Sequence, residues 1–318
     1  MEKISLIVPM YNEEENVKKF YEETNKVLQN IKNSYDYELI FIDDGSTDNT
    51  LVLLKELAKI DGKIKIISFS RNFGKESGIY AGLSKAKGEV VVLLDADLQN
   101  DPKLIIEMLS YIEEGYDTVT TIRNRKGESK IKSLFSRMFY VVMSKGDNVN
   151  LKQGAQDFRM MTAQVVKAIL EMDECNRFSK GIFEWVGFKT KYIEVENRPR
   201  NAGSSKWNFK KLFSYAVEGI TSFSIRPLKI ATITGLIISI LSLVLALQIV
   251  MQTLIDGKDI PGYASTITAI LFIGGIQLIT IGILSEYIGK IYMEIKHRPK
   301  YIIKEEISVE NNKYEGEK

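Results

Sequence analysis

The sequence predicts an α/β protein: an open, mostly parallel sheet with flanking helices, followed by an amphipathic interface helix and two transmembrane helices. Three observations predict it. Short apolar runs alternate with helical patterns from Lys3 to Ile122, as strands and helices do in a parallel sheet. Nearly every run ends in a polar cluster. Two uncharged stretches, Ile230–Val250 and Ala264–Leu284, each reach the roughly 20 residues that span a bilayer.

The elements follow in order. Lys3–Pro9 (KISLIVP) reads as the first strand, followed by Tyr11–Glu15 and a helix from Val17 to Leu28. Leu39–Ile42 is a second strand, ending in Asp43-Asp44-Gly45-Ser46-Thr47-Asp48. A helix over Thr50–Lys59 puts Leu51, Leu54, Leu57 and Ala58 on one face. Ile64–Phe69 is a strand and Lys75–Ala86 a helix. Val90–Leu94 is an unbroken β-branched and leucine run, the pattern of a strand buried on both faces. It stops at Asp95-Ala96-Asp97. Asp101-Pro102 then caps and starts a helix to Glu114, with Leu104, Ile105, Met108, Leu109 and Ile112 inward. Val119–Ile122 is the fifth strand.

The next stretch is less regular. Ile131–Ser144 reads as an apolar helix, Gly154–Arg159 as a loop and Lys189–Glu196 as an alternating strand. Arg198–Trp207 is a basic, glycine-containing loop, of a kind that orders on phosphate or serves as a solvated linker. Trp207–Ser224 is an amphipathic helix whose Trp207, Tyr215 and Phe223 suit a membrane interface, with Lys210 and Lys211 toward headgroups. Arg226, Lys229, Lys290, Lys296, Arg298 and Lys300 flank the two spans, so the positive-inside rule puts both termini in the cytoplasm and the Met251–Tyr263 connection outside. The tail from Glu305 is acidic and polar, and is expected to be disordered.

Composition removes several function classes. The 318 residues carry a net charge of only +2, so no basic field argues for nucleic acid. The single cysteine, Cys175, excludes an internal disulfide and a cysteine zinc site. The single histidine, His297, lies beyond the last apolar segment, which excludes histidine triads and histidine metal sites. The N-terminus enters a strand with no signal peptide. Neither a GxGxxG turn after the first strand nor a GxxxxGK[ST] loop occurs, which argues against dinucleotide-binding dehydrogenases and P-loop NTPases.

In open α/β sheets ligands bind beyond the carboxyl ends of the strands. The clusters at Tyr11–Glu15, Asp43–Asp48, Arg71–Lys75 and Asp95–Gln99 all follow strands and therefore converge on one edge. Two carboxylates there, Asp95 and Asp97, can hold a divalent metal and through it a phosphate. A polar turn with a helix cap is the plainer reading of Asp95–Asp101, but a cap needs only one aspartate.

Together these residues resemble the family 2 glycosyltransferases of the polyprenyl-phosphate type, such as dolichol-phosphate mannosyltransferases and bactoprenol glucosyltransferases. The resemblance rests on Val8-Pro9-Met10-Tyr11-Asn12-Glu13-Glu14, Asp43–Asp48, Arg71-Asn72-Phe73-Gly74-Lys75, Asp95-Ala96-Asp97-Leu98-Gln99, Gln156-Asp157-Phe158-Arg159 and the two C-terminal spans. The Gln-x-x-Arg-Trp signature of processive synthases is absent. The resemblance implies a GT-A-like fold and an inverting transfer of one sugar. It implies that Pro9, Tyr11, Glu13, Asp44, Arg71 and Lys75 bind the nucleotide sugar. Asp95, Asp97 and Gln99 then hold Mg²⁺ or Mn²⁺ on the diphosphate, with Asp97 and Asp157 catalytic. Arg123, Arg137, Arg200 and Lys206 are its candidates for the lipid phosphate.

On this reading residues 1–205 are a cytoplasmic glycosyltransferase domain, 206–227 the interface helix, 228–290 the transmembrane hairpin and 291–318 a cytoplasmic tail, in a cell inner or plasma membrane. The expected reaction moves glucose from UDP-glucose to undecaprenyl phosphate. GDP-mannose, UDP-GlcNAc or an aminosugar donor is the alternative, as is a non-catalytic membrane partner that keeps the fold. Association of the spans makes a homo-oligomer a further expectation. The chemistry fits the residue types. A cation neutralises charge on the leaving diphosphate. A phosphate monoester acceptor is largely dianionic at neutral pH and attacks without a strong base. Arginine then positions it, and Asp157 reads as a positioning or weakly basic carboxylate.

Overall fold

A computed structural model describes residues 2–123, 152, 154–195, 221, 224–256 and 262–308. The apolar runs become strands β1 (Glu2–Met10), β2 (Tyr35–Asp43), β3 (Ile64–Phe69) and β4 (Val90–Leu93), all mutually parallel. Their side chains are buried on both faces; Ile4, Leu6, Ile40, Phe41 and Val92 are at 0% exposure. Helices α1 (Glu14–Ile31), α2 (Thr50–Ile60), α3 (Lys75–Lys85) and α4 (Leu104–Glu113) cross over between successive strands. The α4 helix begins later than expected: the Asp101 carboxylate accepts the Lys103 N–H at 3.0 Å, and Pro102 lies in the turn before the helix.

Helix α3 lies close on β1 because two glycines face the sheet. A Cβ on Gly82 would stand 2.1 Å from Ile7 Cγ2, and one on Gly78 3.3 Å from Pro9 Cβ. Pro9 has a second effect. It lacks the N–H that would extend the ladder to β4, and that ladder ends at the Ile7–Leu93 pair. The chain beyond Leu94 is thereby released from the sheet where Asp95–Asp97 begin.

The sheet continues through β5 (Thr118–Arg123), β6 (Ala155–Thr162) and β7 (Thr190–Val195) in the order β7-β5-β6-β4-β1-β2-β3-β8. Helices α5 (Ala163–Glu171) and α6 (Ser179–Trp185) lie between β6 and β7 in sequence. Two expectations are corrected. Gly154–Arg159 is not a loop, because most of it forms the start of β6, antiparallel to both β4 and β5. Its polar residues disguise a strand whose Phe158, Arg159, Met160 and Met161 are fully buried. Nor is the tail from Glu305 disordered at its start. Ile303–Ile307 forms β8, antiparallel to β3, with charged residues alternating outward as suits an edge strand.

The apolar stretches form α7 (Arg226–Asp256) and α8 (Tyr263–Ile295), longer at both ends than the expected spans. None of their apolar windows is buried; Leu243, Phe272 and Leu278 are 63%, 64% and 72% exposed. A core helix of a soluble protein would cover such side chains, so these two are candidate membrane spans. At the foot of the hairpin the Tyr287 hydroxyl donates to the Ser224 carbonyl at 2.5 Å. The expected helices over Ile131–Ser144 and Trp207–Ser224 and the Arg198–Trp207 loop lie outside the described residues, apart from Thr221 and Ser224.

The chain leaving α8 returns to the sheet. Tyr301 stacks on Phe69 with centroids 4.9 Å apart and sits 6.5 Å from the Tyr80 ring. The Lys300 carbonyl accepts from Ser77 Oγ at 3.0 Å, and Lys55–Glu305 and Lys85–Glu306 ion pairs flank β8. The Glu294 carboxylate accepts the Cys175 N–H, and Lys300 pairs with Asp173. The hairpin is thus clamped to α3 and to the segment ahead of α6. Tyr301→Ala removes the ring at the centre of this clamp and should cost about 2 kcal/mol. In detergent the apparent unfolding midpoint should fall by about 5 °C; an unchanged midpoint would mean that β8 adds nothing to the domain.

Candidate active site

Register places the central residues. Leu93, the last residue of β4, pairs with Arg159 on antiparallel β6, so Asp95, two residues after Leu93, and Asp157, two residues before Arg159, come to the same edge. An antiparallel strand therefore brings its first residues to the same edge as the carboxyl ends of its neighbours. A bulge in β6 helps aim them: Thr120 pairs with Arg159 but Ile122 with Ala155, so β6 carries two extra residues across that step. The Thr120 and Thr121 hydroxyls lie within 3.4 Å of the Gln156 and Phe158 carbonyls of the bulge.

Between the two carboxylates lies Lys75, the first residue of α3. Its Nζ is 2.6 Å from Asp95 Oδ1 and 2.5 Å from Asp157 Oδ2. Burial works against the ammonium, but the charges of Asp157 and Asp95 outweigh it and raise its pKa. Asp157 has two further cations near it. Lys180 Nζ on α6 is 3.9 Å from Oδ1, and the guanidinium of Arg159, buried and 3.6 Å from the Phe183 ring centroid, lies beneath. Burial alone would raise the Asp157 pKa; Lys75 and Lys180 overcome it and hold the carboxyl well below the usual carboxylate range. Burial also draws the Arg159 guanidinium down to about 10, against the pull of Asp157.

The first two loops are laced together. The Asn12 N–H donates to Ser46 Oγ and its Oδ1 accepts the Thr47 N–H; the Glu14 carboxylate accepts from Asn49 N and Nδ2. Glu13 opens α1, its N–H on Thr50 Oγ1 and its carboxylate on Asn16 Nδ2. Asp44 is buried, and its two oxygens accept the N–H groups of Phe73 (2.6 Å) and Gly74 (2.9 Å). Burial pushes its pKa up while these bonds work the other way. Asp44 thus anchors the loop that delivers Lys75. Gly45, at φ +66°, lets the Arg71 backbone pass; a Cβ there would stand 2.4 Å from the Arg71 carbonyl carbon. Arg71 lies over the Phe73 ring at 4.0 Å, and Tyr11 is 37% exposed on the same edge.

After β4 the chain turns sharply. Leu98 takes φ +55°, a left-handed conformation that costs a leucine about 1–3 kcal/mol, and Asp97 Oδ1 accepts the Gln99 N–H. Arg123, at the end of β5, donates to the side-chain amide oxygen Oε1 of Gln99. The Gln156 amide, with its oxygen assigned toward Arg123 (3.1 and 3.2 Å), places its nitrogen 2.6 Å from Asn100 Oδ1. Arg123 and Gln99, expected at opposite substrates, are thus direct neighbours. Arg137, Arg200 and Lys206 lie outside the described residues.

Do these residues fit a divalent ion? Among the described residues no three carboxylate, histidine or cysteine side chains converge into a cage. Mg²⁺, however, is commonly held by one or two carboxylates and completed by water and substrate phosphates. Asp95 and Asp97 supply that open set, and the site already draws a cation, Lys75, to Asp95. The donor chemistry fits an ion that arrives with a diphosphate; with Arg123 on its side-chain oxygen, Gln99 is the weaker third ligand.

Residues 5–170 match the model of the family described as glycosyl transferase family 2, which covers more than half of the chain. The chain belongs to this family. Residues 226–291 match a second model, the GtrB C-terminal hairpin. Similar curated relatives include the putative glycosyltransferase CsbB of Bacillus subtilis, 47% identical over 95% of this chain and 91% of that one. The bactoprenol glucosyl transferase of Shigella phage SfV is 42% identical over 96% and 99%. Among solved structures, glucosyl-3-phosphoglycerate synthase of Mycobacterium tuberculosis with Mn²⁺ and UDP-glucose is 16% identical, covering 69% of this chain and 77% of that one at a TM-score of 0.47. The chain is a glycosyltransferase with a GT-A-like sheet.

Sequence reasoning missed Lys180, Arg159, Gln156 and Asn100 as parts of this glycosyltransferase site. The last three stand in or beside quoted motifs and could have been weighed there. Lys180 carries no motif, and only the packing of α6 reveals it. The depressed Asp157 pKa makes a pH prediction. Its ionised form contributes stability that is complete above the unfolded value near 4 and is lost as pH falls toward the lower folded value. The stability gap between wild type and Asp157→Asn should be about 1–3 kcal/mol. It should stay constant from about pH 5 to 8 and shrink only below about pH 4. Unfolding midpoints across pH check this; a gap that changes near neutrality would contradict the ionised assignment.

Proposed function

We propose that this glycosyltransferase moves one glucosyl residue from UDP-glucose to a polyprenyl phosphate at the cytoplasmic face of the membrane, with Mg²⁺ or Mn²⁺ bound through Asp95 and Asp97. The observation that carries it is the meeting of Asp95 and Asp157 around Lys75, in a domain clamped to the foot of an apolar hairpin. The bactoprenol glucosyl transferases, similar over nearly their full lengths, support glucose and a polyprenyl carrier. The flanking Lys and Arg residues, and the return of α8 into the sheet, support cytoplasmic termini.

The metal, when bound, neutralises charge on the departing diphosphate. The protein's own groups do the rest. Tyr11, Glu13 and Arg71 line the nucleotide side and Arg123 the diphosphate or lipid phosphate, with Arg137, Arg200 and Lys206 as further candidates for the latter. An acceptor phosphate oxygen attacks the anomeric carbon from the face opposite the diphosphate; the new C–O bond forms as the bond to UDP breaks. The phosphate dianion needs no base, which suits a carboxylate at Asp157 too acidic to take a proton near neutrality. Asp157, backed by Lys75 and Lys180, orients the reactants instead.

Asp97→Asn should fold, insert and lose at least about 100-fold in transfer. Membranes bearing the variant, given labelled UDP-glucose and undecaprenyl phosphate, provide the readout in lipid extracts. Undiminished labelling would refute the metal role, and label entering only from GDP-mannose or UDP-GlcNAc would replace the donor. The rate should rise through about pH 6, where the acceptor's second proton leaves. A profile unrelated to that ionisation would point to a base in the protein.

A further inference from the structure

We propose that Lys75 is a built-in counter-cation that keeps Asp95 from taking a divalent ion until a nucleotide diphosphate arrives. The inference rests on the metal role proposed for Asp95 and Asp97 and adds an order to the binding. Three observations carry it. Lys75 Nζ contacts Asp95 Oδ1 at 2.6 Å, so the ammonium stands on the oxygen that a metal would need. Two cations on one carboxylate oxygen repel strongly at such separations. Lys75 also has somewhere else to go. It already contacts Asp157 Oδ2 at 2.5 Å, its side chain is 44% exposed, and its stem is flexible. Finally, Asp157 is not left uncompensated by the exchange, because Lys180 and buried Arg159 stay beside it.

The sequence of events follows from charge. Without nucleotide, Asp95 and Asp157 are bridged by one ammonium and the edge is close to neutral locally. A diphosphate brings negative charge that a lone ammonium cannot offset, and a divalent ion entering with it displaces Lys75 from Asp95 toward Asp157. The lysine then lies on the acceptor side of the site, where a lipid phosphate must approach. A free metal ion, lacking the diphosphate, has to displace the lysine with two carboxylates alone.

The test is Mn²⁺ binding to the full-length protein in detergent, followed by loss of the free-ion electron paramagnetic resonance signal, with no nucleotide present. Lys75→Met should bind Mn²⁺ about tenfold or more tighter than wild type. Lys75→Gln, which keeps a hydrogen bond to Asp157, should tighten it similarly, whereas Lys75→Arg should stay weak. Adding UDP should narrow the gap between wild type and Lys75→Met. Equal or weaker Mn²⁺ affinity in both neutral variants would overturn the inference. Asp97→Asn, assayed with UDP present so that wild type binds Mn²⁺, separates it from its foundation. If that variant binds Mn²⁺ as wild type does, the metal reading itself fails. If it loses binding while the neutral Lys75 variants show no gain, only the counter-cation role fails.

Discussion

Two carboxylates facing each other across a strand pair repel unless a cation lies between them. The site depends on that constraint. The β4–β6 register sets Asp95 opposite Asp157, and Lys75 at the start of α3 fills the gap. Much of the surrounding architecture delivers the lysine there. Gly78 and Gly82 let α3 lie on β1, and Asp44 grips the backbone of the loop before it. Changing any of these parts displaces a charge rather than merely loosening a loop.

The same helix links the site to the apolar hairpin. Its Ser77 and Tyr80 meet the chain that leaves α8, and β8 adds that chain to the sheet beside β3. Covering the β3 edge also removes an open ladder of backbone groups that would otherwise invite pairing with another chain. At the start of α6, the Glu76 carboxylate receives both the N–H and the hydroxyl of Ser179, one residue before Lys180. The apolar hairpin, α3 and the cations around Asp157 are therefore mechanically continuous.

The parallel half of the sheet was readable because burial on both faces demands mainly apolar runs: β4 is wholly apolar, and the apolar runs of β1, β2 and β3 are interrupted only at Ser5, at Glu38, and at Lys65 and Ser68. The polar loops were readable for the same reason: each marks where such a run stops. What escaped reading was antiparallel. The first half of β6 carries Gln156, Asp157 and Arg159, whose partial or full burial is compensated by partners: Gln156 bonds to Arg159 and Thr121, and Asp157 pairs with Lys75. The β8 sequence IKEEI resembles a solvated tail, since an edge strand shows apolar residues on one face only. Long-range contacts such as Lys180 to Asp157 leave no periodic trace. The family resemblance assigns Asp44 to the nucleotide pocket; its oxygens also hold the backbone of the next loop, a role that spacing alone does not reveal.

The most direct test of this arrangement is anomalous diffraction at the manganese edge from crystals of the full chain grown with UDP and Mn²⁺. The account predicts one peak between the diphosphate and the Asp95 and Asp97 carboxylates, with the Lys75 ammonium on Asp157 alone. A manganese peak away from Asp95 and Asp97, or an ammonium still bridging Asp95 beside a bound ion, would contradict it.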